Sequence, residues 1–439
     1  MRFLCARASI KYYLNTLRPC NEQWHHPHVP FARTLFYEKV LSIVFQGITE
    51  SDIRNEIKRS SDHLTETIVM MILNMLSEWD SDKARTWSGT NWGLFCALKS
   101  YYTVNDININ IKNPIYIRVL NKLGIQKPDM GVSRQNRQRK YVSSKILSNI
   151  GEDKYVLQFA EIIESSGHAH TYIYQDLSVD FVDYLYTQHP EVFAVSGFQD
   201  IPYEAIRCRR NIQQKYYEHC DGILTMSQWL KNDLIGRTGI DAAKVHHVGG
   251  GINVDSSLID GSYKKGNKIL FIGRDYIRKG LSVTMDAFKL LKEQDNSVEI
   301  HVAGPPTDPY LGQNIPGYYY YGECSHEKIS QLLNKCDVFC MPSYFEAYGL
   351  AFIEALTYGL PCIGRNCYEM PYFIKDGVEG YLINNDDINT LASKIKDTLS
   401  NRLIKQSVLM RRPFYLKEYS WEGVAARINK YIQLPSNSK

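Results

Sequence analysis

Two short segments of this 439-residue chain combine side chains that could do chemistry. The first runs from Pro342 to Leu356 and carries Glu346 and Glu354 in an E-x7-E spacing. An apolar run, Val338–Met341, ends just before it, and Gly349 opens a helical stretch to Tyr358. The start of a helix leaves amides without intrahelical partners, which suits an anion such as a diphosphate. Gly349, lacking a Cβ, leaves room for a ligand to approach the backbone, with the Leu350 amide next in line. Glu346 stands at the mouth of this loop, where it could hydrogen-bond sugar hydroxyls. Glu354 lies more than one turn inside the helix, placed for a ribose diol. Taken singly, the two acids read better as one that complements the helix dipole and one that is solvated.

The second segment is Phe271–Gly280, where Arg274 and Lys279 follow an apolar run and have Gly273 and Gly280 on either side. Arginine offers a planar bidentate fork and lysine a point charge, a pair suited to neutralising a leaving diphosphate. A basic loop by itself is more often solvated surface. What gives the segments joint meaning is their order, each at a strand end in one half of the chain. Asp80-Ser81-Asp82 has the spacing of a metal-binding DxD but reads as a polar loop just after a strand. His25, His26 and His28 are separated by Pro27 and followed by Pro30, which precludes a helical histidine pair and favours a solvated loop. Neither a Gly-x4-Gly-Lys-Ser/Thr loop nor a Gly-x-Ser-x-Gly elbow occurs.

The elements that must position these loops alternate strand and helix. Residues 1–67 stand apart as an N-terminal extension, with helical stretches at 33–46 and 49–66. Ile68–Leu73 is the first apolar run suited to a buried parallel strand. A polar loop, Asp80–Thr90, and a helix from Asn91 to about Tyr101 follow. Strand-like stretches recur at 103–109, 154–160, 170–175, 192–195, 221–226 and 244–248, with a helix from Gln228 capped by Ser227. Gly249-Gly250-Gly251 closes this half. The second half is expected to hold strands Lys268–Ile272, Val298–Ala303, Val338–Met341 and Pro361–Ile363. Its helices fall at 280–294, around Ile329–Asn334, at 349–358, near 369–375 and near 388–400. The resulting division is a first Rossmann-like domain at 68–252, a linker at 253–267 and a second Rossmann-like domain at 268–420. A last helix, 421–439, is expected to pack back on the first domain. This is an α/β fold of two doubly wound parallel sheets facing a central cleft, where the carboxyl ends of the strands meet.

Composition fits that picture: 44% hydrophobic and 22% charged residues are globular proportions. A net charge of +4 builds no field for nucleic acid, and no nucleic-acid motif occurs. The ten cysteines show no CxxC pairing, as in reduced thiols of a cytoplasmic protein. No apolar run approaches the roughly 18–20 residues of a membrane span.

From about Ile68 to Ile432 the chain resembles the family-4 retaining glycosyltransferases, which have the GT-B fold. The motifs that carry the resemblance are the Gly-Arg…Lys-Gly loop (273–280), Val302-Ala303-Gly304, Glu-x7-Glu (346–354), Tyr358-Gly359-Leu360-Pro361 and Asp376-Gly377-Val378-Glu379-Gly380. It implies transfer of a sugar from a nucleoside diphosphate sugar to a hydroxyl of a glycan or glycolipid, with anomeric retention and no metal or other cofactor. It implies that Arg274 and Lys279 grip the donor phosphates, with Glu346 at the donor sugar and Glu354 at the nucleotide ribose. Gly89, Gly273, Gly304, Gly349 and Leu350 would complete the donor contacts. Glu369 matches a further family glutamate, either structural or ligand-binding. In the first half, Trp87-Ser88-Gly89-Thr90 takes the place of the family's glycine-rich loop, and Gln175-Asp176 stands where many members carry His-Asp. A GT-B phosphorylase and an idle sugar-binding scaffold are the alternatives. Residues 112–145 carry nine lysines and arginines against Asp129 alone. They are either a solvated loop or a face for anionic lipid at the inner side of a membrane.

Overall fold

Strands covered on both faces by helices must be apolar along their whole length. Ile269, Leu270 and Phe271 meet that demand in the second half, and Leu73, Met75 and Leu76 in the first; all six are fully buried. The structure, a computed structural model, describes residues 71–109, 144, 155–164, 169–260 and 266–432, which belong to one unit, Met70–Lys439. The calls on the extension, on the histidine tract and, Ser144 apart, on 112–145 lie outside these residues.

Two six-stranded sheets result, and every strand pair in them is parallel. The first contains β1 (Ile72–Ser77), β2 (Thr103–Asn108), β3 (Tyr155–Phe159), β4 (His170–Gln175), β5 (Gly222–Thr225) and β6 (Val245–His247), in the order β2-β1-β3-β4-β5-β6. The second contains β7 (Lys268–Ile272), β8 (Glu299–Ala303), β9 (Tyr318–Gly322), β10 (Val338–Cys340), β11 (Cys362–Arg365) and β12 (Gly380–Ile383), in the order β12-β11-β10-β7-β8-β9. The expected α/β architecture of two doubly wound parallel sheets is therefore present.

Topology decides which loops meet. In the second sheet the chain winds outward from β7 to β9, then returns to place β10 on the other side of β7. Ligand crevices form at such a reversal, outside the carboxyl ends of the two central strands. The loop after β7 is the basic segment, and the loop after β10 carries Glu346. In the first sheet the reversal lies between β1 and β3, where the Trp79–Gly89 and Ala160–Ile163 segments emerge.

Several sequence expectations need correction. The strand expected at 192–195 is absent: Pro190 opens a short helix, Pro190–Phe193, and the amides of Val192 and Phe193 donate to the His189 carbonyl at 3.0 and 2.9 Å. Proline's fixed φ suits a first helical position, and this overrode the apolar run. The first strand runs from Ile72 to Ser77 rather than ending at Leu73. It continues through buried Asn74, whose amide donates to the Tyr155 carbonyl and whose oxygen accepts from Asn105, both at 3.2 Å. The first helix is Thr90–Leu98, and a 3-10 turn, Lys83–Gly89, occupies most of the loop before it. Strands β9 and β12 and the helix Arg402–Glu418 were not anticipated. Strand β9 is a run of four tyrosines on the edge of its sheet, so it lacks the fully apolar pattern of a central strand.

The two sheets belong to domains that are tied together at several points. The Trp421–Ile432 helix lies against the first domain: the Trp421 ring occupies the space where a Cβ on Gly93 or Gly251 would fall. Arg427 Nε donates to the Val248 carbonyl at 2.6 Å, and Tyr431 stacks on His246. On another side, Phe181 and Trp229 of the first domain pack with Phe345 and Tyr368 of the second.

Candidate functional site

The two reactive segments meet at the reversal of the second sheet. Gly273 continues the β7 ladder, its amide donating to the Ala303 carbonyl at 2.8 Å. Gly304 ends β8 with φ +112°, and a Cβ on it would lie 2.6 Å from the Gly273 carbonyl carbon. The two glycines thus let neighbouring strand ends touch backbone to backbone. The basic loop then turns through Gly280, φ +76°, into the helix Leu281–Gln294. The Tyr344 amide donates to the Arg278 carbonyl at 2.9 Å, tying the loop after β10 to the loop after β7.

At this junction Lys279 Nζ lies 3.0 Å from Glu346 Oε2. Arg278 Nη1 is 3.5 Å from the same oxygen and donates to the Phe345 carbonyl at 2.6 Å. Burial alone would raise the Glu346 carboxyl. The charges of Lys279 and Arg278, with hydrogen bonds from Lys279 and Ser343, outweigh it and hold the group below its ordinary value. Glu346 is therefore an ionised carboxylate fixed beside a cation. Next to it Gly349, φ +100°, begins the helix Leu350–Tyr358 with no side-chain cap. The helix start at which the sequence leads one to expect an anion thus falls at Leu350.

Arg274 is placed differently from Lys279. Its side chain is 80% exposed and pairs with Glu323 at 3.2 Å, on the rim. The cation beside Lys279 is Arg278, which sequence reasoning passed over. Residue type offers no signal here, since both arginines sit in one loop and only its turn decides which faces inward.

Glu354 is buried, and its Oε1 accepts from the Asn253 amide at 3.1 Å. Burial pushes its carboxyl up to about 7, partly offset by the amides of Asn253 and Val254. Asn253 also donates through Nδ2 to the Ser88 carbonyl at 2.6 Å and accepts from Trp421 Nε1 at 3.0 Å. A Cβ on Gly89 would lie 3.0 Å from Asn253 Cγ. Gly89 and Glu354, from different domains, are thus set against one asparagine that no motif singled out.

Gln175, at the end of β4, is buried and donates to the Tyr217 hydroxyl at 2.6 Å. Asp176 follows it, its carboxyl pushed up to about 7 by burial and then by the charge of Glu346. Glu369 is buried, and its Oε2 accepts from the Trp229 amide at 3.0 Å, at the start of the first-domain helix Gln228–Gly236. Burial pushes Glu369 up to about 7 as well. Its contacts are those of a helix cap reaching across from the other domain. Asp80 and Asp82 serve the turn after β1: the Asp80 amide donates to Thr86 Oγ1 at 2.9 Å, and Asp82 Oδ1 accepts from the Ala84 amide at 3.1 Å. Among the described residues no group of three or more His, Cys, Asp or Glu side chains is placed to hold a metal ion. Among them too, no helix is long and apolar enough to cross a membrane.

Comparison with known proteins finds similarity in the second half of the chain and in the fold. Residues 259–412 match the family model described as glycosyl transferases group 1. A phosphatidyl-myo-inositol mannosyltransferase of Mycolicibacterium smegmatis is 24% identical over 239 residues, covering 52% of this chain and 61% of that protein, so under two thirds of its length is spanned. Among solved structures, sucrose-phosphate synthase from Thermosynechococcus elongatus has a TM-score of 0.59 at 16% identity, covering 84% of this chain and 100% of that one. WaaG, a glycosyltransferase involved in lipopolysaccharide biosynthesis, has a TM-score of 0.59 at 12% identity, covering 83% and 100%. Likeness at this level establishes the fold, which is GT-B.

Proposed function

We propose that this chain, whose residues 259–412 match the model of glycosyl transferases group 1, transfers a sugar from a nucleoside diphosphate donor to a hydroxyl of a glycan or glycolipid. The transfer retains the anomeric configuration and uses no metal. The observation that carries this reading is the Lys279–Glu346 pair at 3.0 Å, beside the uncapped helix start at Gly349 and at the topological reversal of the sheet. One small volume there offers a cation and open amides for a diphosphate, and an ionised carboxylate for sugar hydroxyls.

In this reading the diphosphate sits between Lys279 and the amides from Leu350 onward. Arg274, long and exposed, exchanges Glu323 for the phosphates when the donor arrives. These groups are arranged before the charge develops, so they stabilise the leaving diphosphate without reorganisation. The anomeric C–O bond breaks with its electron pair passing to the diphosphate. The acceptor oxygen bonds to the same face of the anomeric carbon, and its proton passes to a phosphate oxygen. Glu346 holds the sugar, and Glu354, beside Asn253, meets the nucleotide ribose. Domain closure excludes water and suppresses hydrolysis. The basic stretch 112–145 would bring the enzyme to anionic lipid on the cytoplasmic side of a membrane.

The test is thermal stabilisation by UDP, GDP, ADP, CMP and dTDP, with and without divalent metal. Mass action gives about 2.7 kcal/mol at a hundredfold excess over Kd. Stabilisation by one nucleotide, independent of metal and lost in Lys279→Ala and Arg274→Ala, supports the reading and identifies the base. No stabilisation by any of them would favour a phosphorylase or a sugar-binding scaffold.

A further inference from the structure

The helix Arg402–Glu418 turns one side inward and leaves another open. Ile404, Val408 and Tyr415 are buried, and their spacing puts them on one side of a helix with about 3.6 residues per turn. Leu403, Met410 and Phe414 share a different side by the same periodicity and are 72%, 79% and 50% exposed. Together they form an apolar stripe about 16 Å long. Exposed apolar residues scattered singly are ordinary, whereas a contiguous set marks a surface that something covers. Among the described residues no other helix carries three exposed large apolar side chains.

Charge narrows what that something is. The helix holds five cations, Arg402, Lys405, Arg411, Arg412 and Lys417, against Glu418 alone. Lys405 pairs with Asp337 at 3.1 Å, Arg411 pairs with Glu379, and Glu418 pairs with Arg427 at 3.2 Å. The Arg412 guanidinium donates to the Thr357 and Tyr358 carbonyls at 3.2 and 2.9 Å and keeps its charge. Exposed Arg402 stands at one end of the stripe and exposed Lys417 at the other. The helix's one acid is paired, so the open side is apolar and positive. A second copy of this chain is a poor match for it. Even at ~250 Å² for each side chain, three cannot supply the ~800 Å² that each partner gives a stable protein interface.

We propose that this side of the helix docks on an anionic lipid surface. Leu403, Met410 and Phe414 enter the boundary between head groups and acyl chains, while Arg402 and Lys417 lie at the phosphates. Buried apolar area and attraction to anionic head groups are the two contributions from which such binding is built. The contact is peripheral: among the described residues no helix is long and apolar enough to cross a membrane. It belongs to the second domain and is separate from the stretch 112–145. It goes beyond the transferase reading and does not depend on turnover.

The experiment is co-sedimentation of the full chain with two kinds of vesicle, phosphatidylcholine alone and phosphatidylcholine with about 30% phosphatidylserine. The wild type should bind the second more tightly, and less so as salt rises. The triple variant Leu403→Ser/Met410→Ser/Phe414→Ser should lose at least about tenfold in affinity, the worth of one large apolar side chain. Arg402→Gln/Lys417→Gln should lose roughly twentyfold on the anionic vesicles, about fivefold for each charge. Exposed substitutions of this kind leave the fold intact, and an unchanged Tm checks that they have. Both variants keep 112–145 as it is, so wild-type affinity in either would overturn the proposal and assign any vesicle binding to another surface. A wild type that binds neither vesicle would overturn it too. So would a dimer, seen by light scattering, that the triple variant dissociates, since a second copy would then be the occupant.

Discussion

At the scale of single residues, the site depends on a charge held where burial would erase it. Glu346 stays ionised because Lys279 and Arg278 outweigh its desolvation. Glu346→Gln keeps the shape and removes the charge, leaving two cations facing an amide. We expect kcat to fall by about 10²–10³, the size of loss seen when one preorganised electrostatic group is removed. Nucleotide affinity, which rests on the cations, should change only a few-fold. Initial rates and calorimetric titration of the nucleotide separate the two, and equal losses in both would place Glu346 at the nucleotide instead. Lys279→Met should show the opposite pattern, losing nucleotide affinity first.

At the scale of elements, the crevice proposed to take the donor exists because two strand ends approach more closely than side chains allow. Gly304 carries φ +112° and its missing Cβ would fall 2.6 Å from backbone of the loop after β7. Gly304→Ala must both strain its own backbone, at about 1–3 kcal/mol, and push that loop away from Lys279's position. The expected result is a modest loss of Tm together with a larger loss of nucleotide binding. A variant destabilised to that extent but binding nucleotide normally would show that the loop adapts.

At the scale of the molecule, the domains are joined by buried carboxyls that reach from one to the other. Glu369 accepts from the Trp229 amide of the first domain, and burial raises it from 4.5 to about 7. Between those values the folded protein keeps a proton that the unfolded chain has released. Its contribution to stability is therefore full below the unfolded value and is lost as pH rises through about 7. Glu354, raised by burial to about 7 beside Asn253, acts in the same direction. Denaturant melts of the wild type should lose stability as pH climbs from about 5 to about 8, and Glu369→Gln should flatten that slope. An identical slope in the variant would mean that Glu369 titrates normally and that the domain contact is not its source.

What the sequence determined by itself was local. The apolar run of Lys268–Ile272, the Ser227 cap whose hydroxyl accepts from the Leu230 amide, and the strand-loop-helix around Glu346 follow from periodicity and end chemistry within a few residues. Their alternation was enough for the parallel, doubly wound fold. What only the tertiary structure decided was partnership across long separations. It chose Arg278 over Arg274 as the neighbour of Lys279, made Asn253 the junction of Ser88, Glu354 and Trp421, and turned Glu369 into a cap on another domain's helix. Residue type cannot signal such choices, because each depends on which backbone amide, carbonyl or charge the fold brings within about 3 Å. The failures have the same cause: Pro190 reversed the reading of an apolar run, and an exposed edge such as β9 lacks the burial pattern that marks a central strand.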